Sequence, residues 1–200
     1  MVAGYADPIM RDPRDDDALM TAAAGGDEAA FRVLVERWER RVLAFLFRSL
    51  GSSEDAADFA QETFLRLYRA APDYIPRGRF APFLFRIAGN LARNEIRRRG
   101  VRRLLNWGAG AREDEESGAL RVEAPDADRP DVSWARAHEA QRVRRALLAL
   151  PERQRIAVTL KRFEGLTQEE IAEAMGISVG AVESLLVRGM AALRKGLGAG

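Results

Sequence analysis

Cysteine is absent from the 200 residues, which excludes a disulfide framework, thiolate chemistry and a zinc–cysteine site. Histidine occurs once, as His138 among Arg, Glu and Ala, and that setting fits a surface residue rather than a catalyst. The N-terminus carries no apolar core of signal-peptide length, and no run approaches a membrane span; the expectation is a soluble, cytoplasmic protein. Charge of one sign is also lacking: the formal net charge of +2 names no partner, so the distribution of charge must do so. What is present is 47% hydrophobic residues, enough for a packed core, over a length that suits one large domain or two small ones.

Apolar residues recur at helical spacing from end to end, and the fold class expected is all-α. Residues 1–15 are polar, with Pro8, Pro13 and an Asp run, and read as a disordered tail. A short helix is expected over Ala18–Ala24, broken at Gly25-Gly26. Asp27 can cap a second helix whose Phe31, Leu34, Val35, Trp38, Val42, Phe45 and Leu46 form a wide apolar stripe ending near Gly51. Ser52 or Ser53 caps a third, with Ala56, Phe59, Ala60, Phe64, Leu67 and Tyr68 as its core face. Beside that face Asp58, Gln61, Glu62 and Leu65 follow i, i+3, i+4, i+7 and share one stripe, a docking surface or simply a solvated acidic face.

A loop holding Tyr74, Arg77, Gly78 and Arg79 leads to a fourth helix over Phe80–Arg99, whose first turn tolerates Pro82. Phe83, Leu84, Ile87 and Leu91 point inward, while Arg86, Asn90, Arg93, Asn94 and Arg97 form a polar stripe opposite. With Arg98, Arg99, Arg102 and Arg103 beyond, and Glu95 the only acid between Arg77 and Arg103, this helix suits phosphate backbone better than it suits a plain solvated face. From 104 to 133 Gly, Pro and the acids Glu113, Asp114, Glu115 and Glu116 mark a flexible linker, leaving a first domain over 16–103 and a second over 134–200. A nuclease would need clustered carboxylates around a metal; the densest acid cluster lies in that linker, where no rigid site can be held.

The second domain carries LTQEEIAEAMGISVGAVESLLVRG, from Leu166 to Gly189. Thr167 and Glu170 have the spacing of a capping box, Gly176 ends the helix they start, and Ser178 can cap the next. Val182, Leu185, Leu186 and Leu193 are its buried stripe; Val179, Gly180, Glu183, Ser184, Val187 and Arg188 face out. Two helices joined by a short Gly turn make the DNA-binding helix-turn-helix, or an ordinary helical hairpin.

Three segments in order, DAADFAQETFLRLYR (Asp55–Arg69), FLFRIAGNLARNEIRRR (Phe83–Arg99) and LPERQRIAVTLKRFEGLTQEEIAEAMGISVGAVESLL (Leu150–Leu186), resemble the extracytoplasmic-function sigma factors of bacterial RNA polymerase. These are minimal sigma-70 proteins with regions 2 and 4 only, and the resemblance covers nearly the whole chain from about Asp16. It implies two small helical domains joined by a flexible linker, no enzymatic activity, no cofactor or metal, and no small-molecule substrate. The implied partners are core RNA polymerase (its β′ clamp helices and β flap), promoter DNA and an anti-sigma factor, without membrane insertion. By the same resemblance Asp58, Gln61, Glu62 and Leu65 would meet the polymerase. Tyr74, Arg77, Arg79, Phe80, Arg86, Asn90, Arg93, Asn94, Arg97 and Arg98 would read and melt the −10 element. Thr167, Gln168, Ser178, Val179, Gly180, Glu183, Ser184, Val187 and Arg188 would read the −35 element. The chain departs from the family at Ala57, Phe83 and Asn94, and most in the −35 helix, where Ala181, Glu183, Leu185, Val187 and Met190 replace polar or basic residues.

Overall fold

The computed structural model describes residues 12–107 and 130–198. Among them are α-helices and one short 3₁₀ turn, with no strand: α1 (Asp16–Ala24), α2 (Glu28–Leu50), α3 (Ser53–Arg69), α4 (Phe80–Trp107), α5 (Pro130–Leu148), α6 (Glu152–Arg162), α7 (Gln168–Met175) and α8 (Val179–Gly198).

Caps set the boundaries. The Asp15 carboxylate accepts from the Ala18 N–H, which starts α1 at Asp16, two residues before the expected Ala18. Asp27 accepts from Ala30 N–H to start α2, and Gly51, at φ 80°, ends it by donating to the Phe47 carbonyl. Ser52 caps α3 through the Asp55 N–H.

Asp12 and Arg14 are held against α2, in contrast to the expected disorder of residues 12–15. Arg37 of α2 donates to the carbonyls of Asp12 and Arg14 and pairs with Asp16 at 2.8 Å. Residues 1–11 lie outside the described residues, as do residues 108–129, which hold most of the expected linker and its acid cluster. Its ends are shorter than the sequence suggests: α4 continues through Gly100 to Trp107, and α5 begins at Pro130, since proline suits a first helical turn.

The first half packs α2, α3 and α4 around Phe45, Phe64, Leu67, Leu84 and Phe85. Phe85 is fully buried, edge-on to Phe45 and Trp38 at centroid distances of 5.2 and 6.0 Å. Phe80, read from sequence as a DNA contact, is instead a core residue against Trp38 at 5.5 Å. Tyr68, read as core, is 44% exposed and lies edge-on to Phe31.

The second half packs α6, α7 and α8 around Ile156, Leu160, Ile171 and Val182. Here α8 crosses α6 at Gly189; a Cβ at that position would come within 2.8 Å of Val158 Cγ2, so only glycine fits. Leu185, expected in the core, is half-buried.

These halves are docked on each other. Helix α7 lies on α4, and α5 and α6 lie on α2. Arg155 donates to the Ser49 carbonyl at 2.6 Å, and Arg144 donates to that of Gly51. Glu164, 8% exposed, receives Arg41 Nε at 3.1 Å and Arg48 Nη1 at 3.7 Å from the other half. Burial raises its carboxyl above the ordinary carboxylate range, against the pull of those two guanidiniums.

Candidate nucleic-acid and polymerase interfaces

On α3 the buried Ala56, Ala60, Thr63, Phe64 and Leu67 fix the helix's rotation. Thr63 satisfies its hydroxyl by donating to the Phe59 carbonyl at 2.6 Å. That rotation leaves Asp58, Gln61 and Leu65 exposed in one stripe, Leu65 at 44%. Glu62 is half-buried and accepts from Arg66 Nε at 2.7 Å. An acidic ridge with an apolar end at Leu65 results.

The loop before α4 is held by Asp17, a residue that reads in sequence as one more member of an Asp run. Its carboxylate accepts from the Tyr74 hydroxyl at 2.6 Å and from the Gly78 N–H at 2.5 Å. Burial, then the bond to Asp17, raises the Tyr74 phenol above its ordinary value, so it stays a neutral donor. The Tyr74 ring packs on Phe83 at 5.0 Å, and Arg86 covers Phe83 at 5.1 Å. Between them opens a cleft of about 600 Å³ lined by Asp73, Tyr74, Ile75, Arg77, Arg79, Phe83, Arg86 and Glu173. Aromatic faces with guanidiniums at the rim suit a flat base and its phosphate.

Further along α4, Asn90, Asn94 and Arg97 are exposed in one line and Arg93 is half-buried. Arg93 donates to the Asn90 amide oxygen, and Arg97 to that of Asn94 at 2.6 Å. An amide whose oxygen is held this way keeps its nitrogen donors for a base edge. Arg98 and Arg99 both bind the buried Glu95, at 2.7 and 2.9 Å, and Arg99 also reaches Asp55 at 2.5 Å. Burial alone would raise the Glu95 carboxyl; the bonds from Arg98 and Arg99 outweigh it and hold it low. Part of the positive charge counted from sequence is therefore spent inside the fold.

In the second half Thr167 and Glu170 form the capping box, each side chain bonded to the other's backbone N–H, at 3.2 and 2.7 Å. Gly176, at φ 63°, ends α7, and Ser178 Oγ accepts from Ala181 N–H at the start of α8. The chain bends by 102° between the two helices, inside the range of a helix-turn-helix. Thr167 and Ser178 are exposed at the two helix starts, and Gln168 is half-buried. Val179, Gly180, Glu183, Ser184, Val187 and Arg188 are exposed on α8, as the periodicity requires. Ser184 donates to the Gly180 carbonyl, and Arg188 Nε to that of Ser184, so both lie along the helix.

The Sigma-70 region 2 profile matches residues 34–102, and the Sigma-70 region 4 profile matches residues 140–193. The RNA polymerase sigma-H factor of Pseudomonas aeruginosa is 34% identical over 182 residues, which cover 91% of this chain and 93% of that protein. The chain belongs to the extracytoplasmic-function sigma factors of the sigma-70 family. The ECF RNA polymerase sigma-E factor of Haemophilus influenzae is likewise 34% identical, covering 90% of this chain and 93% of the relative. Among solved structures, CnrH in complex with the cytosolic domain of CnrY matches with a TM-score of 0.65 at 29% identity, over 92% of this sigma factor and 97% of that chain. Sigma factor RpoE of Bartonella quintana, in complex with the anti-sigma factor NepR, matches with a TM-score of 0.64 at 20% identity, over 84% and 96%, and shows the shared fold. As a sigma factor the protein binds core RNA polymerase and directs transcription initiation at promoters. No single helix among its described residues is long and apolar enough to cross a membrane.

The sigma factor also uses residues that no sequence pattern marks. Glu173 of α7 forms part of the wall of the α4 cleft and accepts from Arg79 Nη1 at 2.7 Å. Arg93 Nη1 donates to the Met175 carbonyl at 3.3 Å. Glu164, Glu173 and Met175 each bond to a residue far away in sequence, and neither helix period nor cap chemistry points to such partners.

Proposed function

We propose that the outward stripe of exposed Asp58, Gln61 and Leu65 with half-buried Glu62 docks on the β′ clamp helices of the polymerase, with region 4 meeting the β flap. The loop and α4 face, through Tyr74, Arg77, Arg79, Arg86, Asn90, Arg93, Asn94, Arg97 and Arg98, captures the melted −10 strand. Phe80 supports that face from the core and takes no base. The protein acts in the cytoplasm, has no catalysis of its own and is restrained by an anti-sigma protein; the CnrH and RpoE structures, each in complex with a second protein, support this last reading. The observation that carries the assignment is the cleft at the head of α4: aromatic rings, rim arginines and the line of asparagines adjoin on one surface.

Base reading adds specificity where phosphate contacts add position. Asn90→Ala is expected to lower transcription from cognate promoters with little loss of duplex binding. Arg97→Ala is expected to weaken binding across all sequences and flatten the salt dependence. Binding and transcription over a set of −10 variants check this, and identical profiles for the two variants would contradict the division.

Thr167 and Gln168 at the start of α7, Ser178 before α8, and Val179, Gly180, Glu183, Ser184, Val187 and Arg188 on α8 form the −35 surface, and Glu183 is its selective element. A carboxylate there repels phosphate but can accept from the N4 amino group of cytosine in the major groove. Arg188, one turn on, donates from Nε to the Ser184 carbonyl. The −35 element is therefore expected to carry a cytosine opposite Glu183. Glu183→Lys should raise binding to random DNA and relax that one base pair by about 1–3 kcal/mol. A −35 substitution series checks it; equal responses in wild type and variant would contradict the contact.

A further inference from the structure

We propose that Asp17 of α1 is a positioning residue for −10 recognition: it fixes the shape of the loop before α4 and so decides how strictly the cleft selects a base. This rests on reading that cleft as the −10 site. The lining residues Tyr74, Ile75, Arg77 and Arg79 all come from the segment between the 3₁₀ turn and α4. Among the described residues, the backbone bonds of that segment lie at its ends. Tyr74 N–H donates to the Ala71 carbonyl at 3.1 Å, and Phe83 N–H donates to that of Arg79 at 3.2 Å. Asp17 supplies the tie between them. Its carboxylate joins the Tyr74 hydroxyl, at 2.6 Å, to the Gly78 N–H, at 2.5 Å, so one rigid planar group spans the loop. Gly78 presents that N–H from φ 66°, a conformation that a side chain would strain.

Asp17 is not among the lining residues, so it acts through Tyr74 rather than on the base. The neighbouring carboxylates of the Asp run have other tasks. Asp15 caps α1 through the Ala18 N–H, and Asp16 holds α2 through Trp38 Nε1 at 3.0 Å and Arg37 at 2.8 Å. Leu19 and Met20, both fully buried, seat the same helix in the core. Helix α1 is thereby a fixed post, and Asp17 extends its rigidity to the loop. The Tyr74 ring is braced by Phe80 at 6.2 Å and Phe83 at 5.0 Å, and the hydroxyl bond restrains what freedom is left. A wall held on three sides cannot widen to take a wrong base, and discrimination depends on that refusal. A loosened wall would accept more bases at smaller cost, while phosphate contacts elsewhere on α4 keep the strand in place.

The test uses the full chain with core polymerase on a promoter mapped with the wild-type chain, its −10 positions randomised as a library. Sequencing the transcribed templates gives the base preference at each position. Asp17→Ala is expected to flatten the preference at one −10 position by about tenfold, the scale of lost bonds to a charged acceptor, and to leave the −35 preference unchanged. Tyr74→Phe, which removes the hydroxyl and keeps the ring, should flatten the same position and add nothing in the Asp17→Ala background. Asp16→Ala, which cuts the neighbouring tie to α2, should lower the thermal midpoint and keep the base ranking. Circular dichroism confirms folding of each variant. An equal loss at every −10 variant with the ranking unchanged would reduce Asp17 to support of the fold and overturn the proposal. The same preference profile for Asp16→Ala and Asp17→Ala would overturn it too. Arg86→Ala, in the cleft wall itself, separates the two levels. A preference changed by Arg86→Ala but untouched by Asp17→Ala overturns the positioning role alone, whereas a preference changed by neither removes the −10 reading of the cleft.

Discussion

Asp58→Lys combined with Glu62→Lys is expected to weaken binding to core polymerase by roughly thirtyfold or more, since placing like charges across an interface costs several kcal/mol. The physical case begins with rotation of the helix. Ala56, Ala60, Thr63, Phe64 and Leu67 are buried on one side of α3, so Asp58, Gln61 and Leu65 must face out. Asp58 has no buried partner to lose, and Glu62 gives up one i, i+4 pair with Arg66, worth about 0.3–0.5 kcal/mol. Helicity and thermal stability should therefore stay near wild type while affinity for core falls. A titration of labelled chain against core polymerase measures it. Unchanged affinity with both charges reversed would remove α3 from the interface.

Phe85→Ala carries the largest expected cost in stability, about 3–5 kcal/mol. Phe85 is fully buried, and its ring meets Phe45 and Trp38 edge-on, so truncation loses transfer energy, ring contacts and packing together. Trp38 is itself pinned, with Nε1 donating to Asp16 at 3.0 Å and the Arg41 guanidinium 4.3 Å above its ring, so the site has little room to collapse. Urea unfolding should show the midpoint falling with little change in slope. The functional consequence follows from position, because Phe85 lies between Phe83 of the cleft and the arginine–asparagine line. A destabilisation under about 1 kcal/mol would mean that α4 is not seated by this residue.

Legibility divided along physical lines. Helix type and facing were readable wherever one face is buried, because the 3.6-residue period is written into the apolar positions. The outward stripe of α3, the capping box at Thr167 and Glu170, and the exposed face of α8 all follow from local spacing. Phe80 was not readable. An aromatic next to Arg77 and Arg79 looks like a stacking platform, and only Trp38, on another helix, makes it core. Tyr68 erred the other way: its spacing matches the core face, but it sits at the rim beside Phe31. Both ends of the expected linker are helical: α4 runs on to Trp107, and Pro130, which reads as a breaker, opens α5. Arginine count alone overstated the free charge, since Glu95 binds Arg98 and Arg99. The docking of the two halves was the least legible feature. It depends on Arg41 with Glu164, separated by 123 residues, and on Arg79 with Glu173, separated by 94, and no local pattern encodes such pairs.

The central claim is that this chain gives core RNA polymerase its choice of promoter, through α3 for docking and α4 for the −10 element. Run-off transcription on genomic fragments tests it most directly, with purified core polymerase alone, with the wild-type chain, and with the Asp58→Lys/Glu62→Lys and Asn90→Ala variants. The account predicts discrete start sites that appear only with the wild-type chain. The docking variant should lose them at all promoters, while Asn90→Ala should redistribute initiation according to the −10 sequence. Start sites that are the same with and without the chain would contradict it.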